Sequence, residues 1–416
     1  MYRPKPPKCL RPSLAVLALC LALPPFATAA ELDFDTALAS AYQSNPELAA
    51  ARQGPGIAAG ERRQAALLPN PSLSWEMEDT RSATRTTSVS LAQPLELGGK
   101  RGARVTYAER GQALAELTLE QRRNALRADT LLAFQAALRA QARSELADAS
   151  LALAERGLTV AQARIRAGKA APMEALRAQV QQDELTLERD RARTEQRQAY
   201  QRLATLMGEP RPGFEWVSGR LGPLPAPPPE ARLLARLGDT ADLRLALADV
   251  AREEAGVDLE KARRYPDVTV SIGSQYSAED RQRVNLVGVS LPLPLFDRNQ
   301  GNVLSASRRA DQARDLRNAT ELRLRGDVAL ALEQWRRAQA AIDAHDRSIL
   351  PAAQQAVDSA TRGFRMGKLA FLDVLDAQRT LIDARNRYLQ AMAEATEAWA
   401  SLERLYGDLS GLDGQA

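Results

Sequence analysis

The chain of 416 residues has two cysteines, Cys9 and Cys20, one histidine, His345, and only 5% aromatic residues. With both cysteines in the first twenty positions, the rest of the chain cannot build a disulfide framework or a thiolate metal centre. A zinc or copper site needs clustered nitrogen or sulfur ligands, and His345, alone in a polar helical stretch, reads as a solvated surface residue. No phosphate-binding loop or nucleophile motif occurs. An enzyme has little to work with here, and neither a cofactor nor a bound metal is expected.

A secretory leader is expected at residues 1–30. Arg3, Lys5, Lys8 and Arg11 precede an apolar run from Leu14 to Leu23, followed by Pro24, Pro25 and Ala27-Thr28-Ala29-Ala30. The run is too short to cross a bilayer comfortably. Cys20 raises lipid attachment, but Leu19 stands where a lipoprotein signal wants a small residue. Cleavage after Ala29 or Ala30 removes four of the 56 basic residues and no acidic one, leaving 52 against 52. The basic balance therefore belongs to the leader. No compact basic stripe with interleaved aromatics remains, which argues against a nucleic-acid partner.

What is abundant is alanine, arginine, leucine, glutamate and glutamine, a mixture that favours long, closely packed helices. Arg362 to Thr380 is echoed by Arg164 to Gln179. In both, a basic residue stands two places before Gly-Lys, and an acidic residue, Glu174 or Asp373, opens the next helix six places after the glycine. Gly168-Lys169 and Gly367-Lys368 thus read as the tips of two helical hairpins, since glycine tolerates the left-handed turn that ends a helix.

The expected organisation is two tandem repeats, 31–207 and 231–406, joined by a segment 208–230 rich in proline and glycine and followed by a tail, 407–416. Each repeat holds a helix, a β-hairpin (about 72–95 and 268–295), a long helix (101–167 and 301–366), a tip, and a returning helix (173–207 and 371–406). Gly54-Pro55-Gly56 is expected to interrupt the first helical stretch, Leu233 to Arg264 to run unbroken, and Pro351 to bend or break the second long helix. Phe214, Trp216, Val217 and Leu221 suggest that the joining segment is an ordered belt. A helix of 66 residues would be roughly 100 Å long, and each returning helix falls about 45 Å short of its partner. The helices before the hairpins have about the missing length and could stack end to end on the returning ones. Leu324, Val328, Ala331, Trp335, Ala338 and Ile342 mark one apolar seam, and the last helix carries two, as a helix in a cylinder would.

Strands of about ten residues in an exported chain suit a tilted transmembrane β-barrel, although four strands cannot close one alone, and the imperfect alternation leaves a soluble sheet as the other reading of the pattern. Leu68-Pro69-Asn70-Pro71, Gln93-Pro94-Leu95-Glu96-Leu97-Gly98-Gly99-Lys100-Arg101 and the two tips resemble the outer membrane efflux proteins of TolC type, over Asp35 to Tyr406. The Gln93 to Arg101 run is similar to the CzcC-like, cation-efflux branch. This resemblance implies a mainly α fold with a small β part. A homotrimer would join a long periplasmic α-helical barrel to a twelve-stranded β-barrel in outer-membrane lipid, each subunit giving four strands. It further implies a passive exit duct for heavy-metal cations, working with a periplasmic adaptor (membrane fusion protein) and an inner-membrane pump of RND type. Asp373, Asp376 and Glu174 would form an acidic, cation-favouring ring at the closed periplasmic end. Gly168, Lys169, Gly367 and Lys368 would meet the adaptor. Multidrug efflux and type I protein secretion are the alternative cargo classes. A coiled-coil adaptor is a third reading, but adaptors carry one helical hairpin rather than two.

Overall fold

The structure, a computed structural model, describes residues 31–219, 221–222 and 224–409. The leader and residues 410–416 of the tail lie outside the described residues.

The chain enters as a two-residue strand, β1 (Glu31–Leu32), then α1 (Phe34–Ser44), α2 (Pro46–Ala51) and α3 (Gln53–Ala65). The break between α2 and α3 falls at Arg52, two residues before the start of the expected Gly54-Pro55-Gly56 interruption. Those three residues lie in the first turn of α3, where proline's missing N–H costs nothing. The hairpin β2 (Ser72–Glu78) and β3 (Thr86–Leu95) leads into α4 (Lys100–Arg166), a single helix of 67 residues with no proline. The chain then returns as α5 (Pro172–Leu206).

The joining segment is ordered where it is described. Strand β4 (Trp216–Val217) pairs in parallel with β1, Phe214 and Val217 are buried, and the Phe214 ring sits 5.1 Å from that of Tyr200. Trp216 is not an anchor: it is 53% exposed. Next comes α6 (Glu230–Ala235), a 3-10 turn at Leu237–Asp239, and α7 (Ala241–Ala262). Here the unbroken helix expected from Leu233 gives way, because Thr240 takes an extended conformation and its hydroxyl accepts from Leu243 N–H, a helix start.

Strands β5 (Val268–Ser277) and β6 (Gln282–Ser290) follow. β6 stops five residues before the expected Leu295, just ahead of Pro292 and Pro294. The second long helix is α8 (Gln300–Ala344) and α9 (Leu350–Arg365), separated by a π turn at His345–Ile349. Pro351 lacks the N–H and crowds the carbonyl four residues back, and the wider π turn absorbs both defects. α10 (Phe371–Tyr406) completes the chain.

The long helices approach closely because alanine lines their seams: Ala128, Ala137, Ala331, Ala338 and Ala398 are all at most 2% exposed, interleaved with Leu324, Val328 and Ile342. The returning helix α5 meets α1 and α2 end to end. Asn45 Nδ2 donates to the Leu206 carbonyl at 3.0 Å, and Gly208, at φ +80°, packs against the Ser44 carbonyl where a side chain would not fit. In the second half Tyr406 Oη donates to the Leu233 carbonyl at 2.7 Å, so α10 abuts α6 in the same way.

Candidate functional site

The sheet runs β2-β3-β5-β6, antiparallel throughout, so both hairpins share one wall. Register sets Leu73, Leu91, Ile272 and Val287 side by side in one row across four strands. The neighbouring row on that face is Trp75, Val89, Ser274 and Asn285. The other face presents Ser72, Ala92, Ser271 and Gly288, then Ser74, Ser90, Gly273 and Leu286, then Glu76, Ser88, Gln275 and Val284. Alternation is strict along β2, where Leu73, Trp75 and Met77 stand between serines and glutamates, and blurred along β6, and the rows separate an apolar face from one dominated by serine, glutamine and glutamate. The outer edges of β2 and β6 pair with no strand among the described residues.

The Gln93 to Arg101 run forms the joint between sheet and helices. Gln93 Nε2 donates to the Pro69 carbonyl at 3.0 Å, and Glu96 pairs with Arg104 at 2.6 Å. Arg104 also donates to the carbonyls of Ala65 and Leu67, and Arg101 to that of Ala66, which ties down the end of α3. Gly98 (φ +70°) lies under the Tyr265 ring, where a Cβ would come within 2.5 Å. Lys100 Nζ reaches Asp267 at 2.6 Å across the two halves. Two hundred residues on from Gly99, Asn299 holds the same left-handed turn at φ +59°, its amide donating to the carbonyl and carboxylate of Glu260.

At the far end of the helices, Gly168 (φ +68°) and Gly367 (φ +73°) close α4 and α9 in the same way. Lys169 N–H donates to the Arg164 carbonyl and Lys368 N–H to the Gly363 carbonyl, both at 2.9 Å, the six-to-one bond that caps a helix with a left-handed residue. The tips are braced from within. The Phe364 and Phe371 rings pack at 5.3 Å, tilted by 50°, and Gly157 leaves room for Phe371, since a Cβ there would stand 2.9 Å from the ring.

Just beyond the tips, α5 and α10 flank a groove of about 490 Å³. Asp373 and Asp376 line it, both exposed, and the Asp373 carboxylate accepts from Ala370 N–H at 2.8 Å as it caps α10. Glu174 does not line this groove. It lies in the first turn of α5, half-buried, with Oε2 enclosed and unpartnered. Sequence reasoning missed two cations that share the groove, Arg177 and Arg379. Arg379 spans from α10 to α5, donating to Gln181 at 3.1 Å and pairing with Glu184 at 3.4 Å. The spacing Asp376 to Arg379 was a visible signal, since residues three apart share a helix face. Among the described residues, no three histidine, cysteine, aspartate or glutamate side chains are grouped to hold a metal. Among the described residues, no helix is long and apolar enough to cross a membrane.

Two segments of the chain, residues 37–209 and 236–408, match the family model described as outer membrane efflux protein. The chain belongs to that family. This outer membrane efflux protein is 39% identical to the cobalt-zinc-cadmium resistance protein CzcC of Cupriavidus metallidurans over 92% of each chain. It is 33% identical to the nickel and cobalt resistance protein CnrC of the same organism, over 59% of this chain and 57% of that one. In fold it is similar to the outer-membrane channel OprN, with a TM-score of 0.74 at 21% identity over 90% of each chain. The protein is a transport conduit rather than an enzyme, an outer-membrane channel subunit with a periplasmic helical extension. Channels of this family are homotrimers that work with a periplasmic adaptor and an inner-membrane pump.

Proposed function

We propose that this efflux protein is the passive exit duct for divalent heavy-metal cations, of the cobalt, zinc and cadmium class, delivered by an RND-type pump. The observation that carries this reading is the 39% identity to CzcC along nearly the whole of both chains. Three copies would join the free edge of β6 to that of β2 in the next copy and close a twelve-stranded barrel, because lipid does not tolerate open strand edges. The row of Leu73 to Val287 would then face lipid, and the serine, glutamine and glutamate face would line a hydrated lumen without inner-sphere ligands strong enough to retain a passing cation.

Asp373 and Asp376 act in this reading as the acidic part of the periplasmic gate, with Arg177 and Arg379 as cationic counterparts that hold it shut. Glu174 supports the start of α5 rather than lining the path. Gly168-Lys169 and Gly367-Lys368 meet the adaptor. Deleting the gene in its host and measuring growth in graded cobalt, zinc and cadmium tests the cargo. Sensitivity to these ions, with unchanged tolerance of organic dyes and detergents, is expected. Sensitivity to the organic compounds alone would move the cargo to the multidrug class.

A further inference from the structure

The apolar face of the sheet does not end where the sheet ends. Beyond Ser290 the chain leaves the sheet, Leu291-Pro292-Leu293 makes no ladder bonds and forms neither helix nor turn, and in the sequence Val287, Val289, Leu291 and Leu293 keep the spacing of two. These four are 80, 71, 45 and 71% exposed. Leu293 and Leu295 then close a tight turn about Pro294, with Leu295 N–H donating to the Leu293 carbonyl at 2.9 Å, and Phe296 stands 91% exposed at the bend.

The backbone polar demand of this strap is reduced, though the N–H groups of Leu291, Leu293 and Phe296 are left for solvent or headgroups to answer. Pro292 and Pro294 have no N–H to satisfy. The Pro294 carbonyl accepts from Arg298 Nε at 3.2 Å, and the Phe296 carbonyl accepts from Gln300 Nε2 at 3.2 Å. A segment outside a sheet can therefore sit only at the edge of hydrocarbon, where headgroups and water answer the groups that the chain itself does not. The first half has no such strap: its counterpart stays in the sheet to Leu95, pairs with β5, and places the amide of Gln93 on that face.

We infer that Leu291–Phe296 is a lipid-seated collar, set in the periplasmic leaflet of the outer membrane below the barrel wall. Its occupant is acyl chain, argued from its continuity with the apolar rows of the sheet. The exposed Phe296 and the neighbouring Arg298 mark the headgroup level, the arrangement of aromatic and basic residues that fixes membrane depth.

The lack of cysteine after residue 20 makes the test direct. Leu293→Cys and Phe296→Cys, each carrying a nitroxide, would be reconstituted as trimers in phosphatidylethanolamine and phosphatidylglycerol vesicles. Their collisions with oxygen and with a soluble nickel chelate would then be compared. Leu73→Cys and Ser74→Cys report the two faces of the sheet itself, and trimer migration without heating verifies assembly. Strong oxygen relaxation with weak nickel relaxation at Leu293, matching Leu73, is the expected result. Strong nickel relaxation at both collar positions would overturn the collar while Leu73 still reported lipid. Weak relaxation by both agents would overturn it too, placing the strap against a neighbouring copy.

Discussion

Asn45 and Leu206 are 161 positions apart, yet the Asn45 side-chain amide donates to the Leu206 carbonyl at 3.0 Å. The oxygen of the same amide accepts from Leu48 N–H at 3.0 Å, capping α2, and the residue is only 6% exposed. One side chain therefore ends one helix and starts the next. Asn45→Ala should cost about 1–2 kcal/mol as a lost helix cap, with Asn45→Asp recovering the cap but not the bond to Leu206. Thermal unfolding followed by circular dichroism would rank the three proteins.

A second prediction concerns pH. Glu403, 3% exposed, lies beside Arg127, with Oε2 at 3.3 Å from Nε but without hydrogen-bond alignment, and Arg127 also reaches Asp408 at 3.0 Å. Burial pushes the Glu403 carboxyl above its ordinary 4.5, and the guanidinium offsets this only in part. The folded state therefore holds this proton to higher pH than the unfolded chain does. The contribution to stability is fully present below about 4.5 and is lost as pH rises through the folded value. Glu403→Gln should flatten that slope. Arg127→Met should steepen it and cost about 3–5 kcal/mol at neutral pH, by leaving a buried carboxylate without its cation. Urea unfolding between acid and neutral pH measures both.

The mixed charges of the α5–α10 groove predict opposite effects from two variants. Asp373→Asn with Asp376→Asn should remove most of the cation preference in planar bilayers and raise anion conductance. Arg379→Gln, by cutting the span to Gln181 and Glu184, should enlarge the conductance while leaving cation preference in place. Unchanged selectivity in the double aspartate variant would remove these residues from the gate.

At the tips, Gly367 holds φ +73° with open space where a side chain would project. Gly367→Ala incurs the left-handed backbone cost alone, about 1–2 kcal/mol. Gly367→Phe adds a bulky group to the surface offered to the adaptor. Metal resistance in complemented cells should fall little with alanine and be abolished with phenylalanine, both as intact trimers. Persistent resistance with phenylalanine would place docking elsewhere.

Much of this architecture is legible in the sequence, for reasons that can be named. Gly168 and Gly367 are read as tips because a left-handed helix end demands glycine, and the first hairpin stands out between Pro69-Asn70-Pro71 and Gly98-Gly99. The early end of β6 is harder to see. Pro94 sits within β3, opposite Thr269, so a similar proline near β6 does not by itself announce a stop. The faces of the sheet are plain in β2, where Leu73, Trp75 and Met77 alternate with Ser72, Ser74, Glu76 and Glu78, but Ser274 and Asn285 interrupt alternation in β5 and β6, and the four-strand rows exist only once both halves are in register. Gly238 followed by Thr240 was a readable helix break. In the groove, Arg177 comes from the other half of the chain, and only the fold brings it to Asp373 and Asp376.

The row that joins Leu73, Leu91, Ile272 and Val287 imposes a parity rule on inheritance. Side chains alternate across the wall with a period of two, so deleting one residue inside β3 or β5 would exchange inside for outside along the remainder of that strand, setting serines against acyl chains and leucines in the water path. Length changes that preserve a working wall must come in even steps, or fall in the turns at 79–85 and 278–281. Two versions of this protein that differ by a single inserted residue should therefore carry it in a turn.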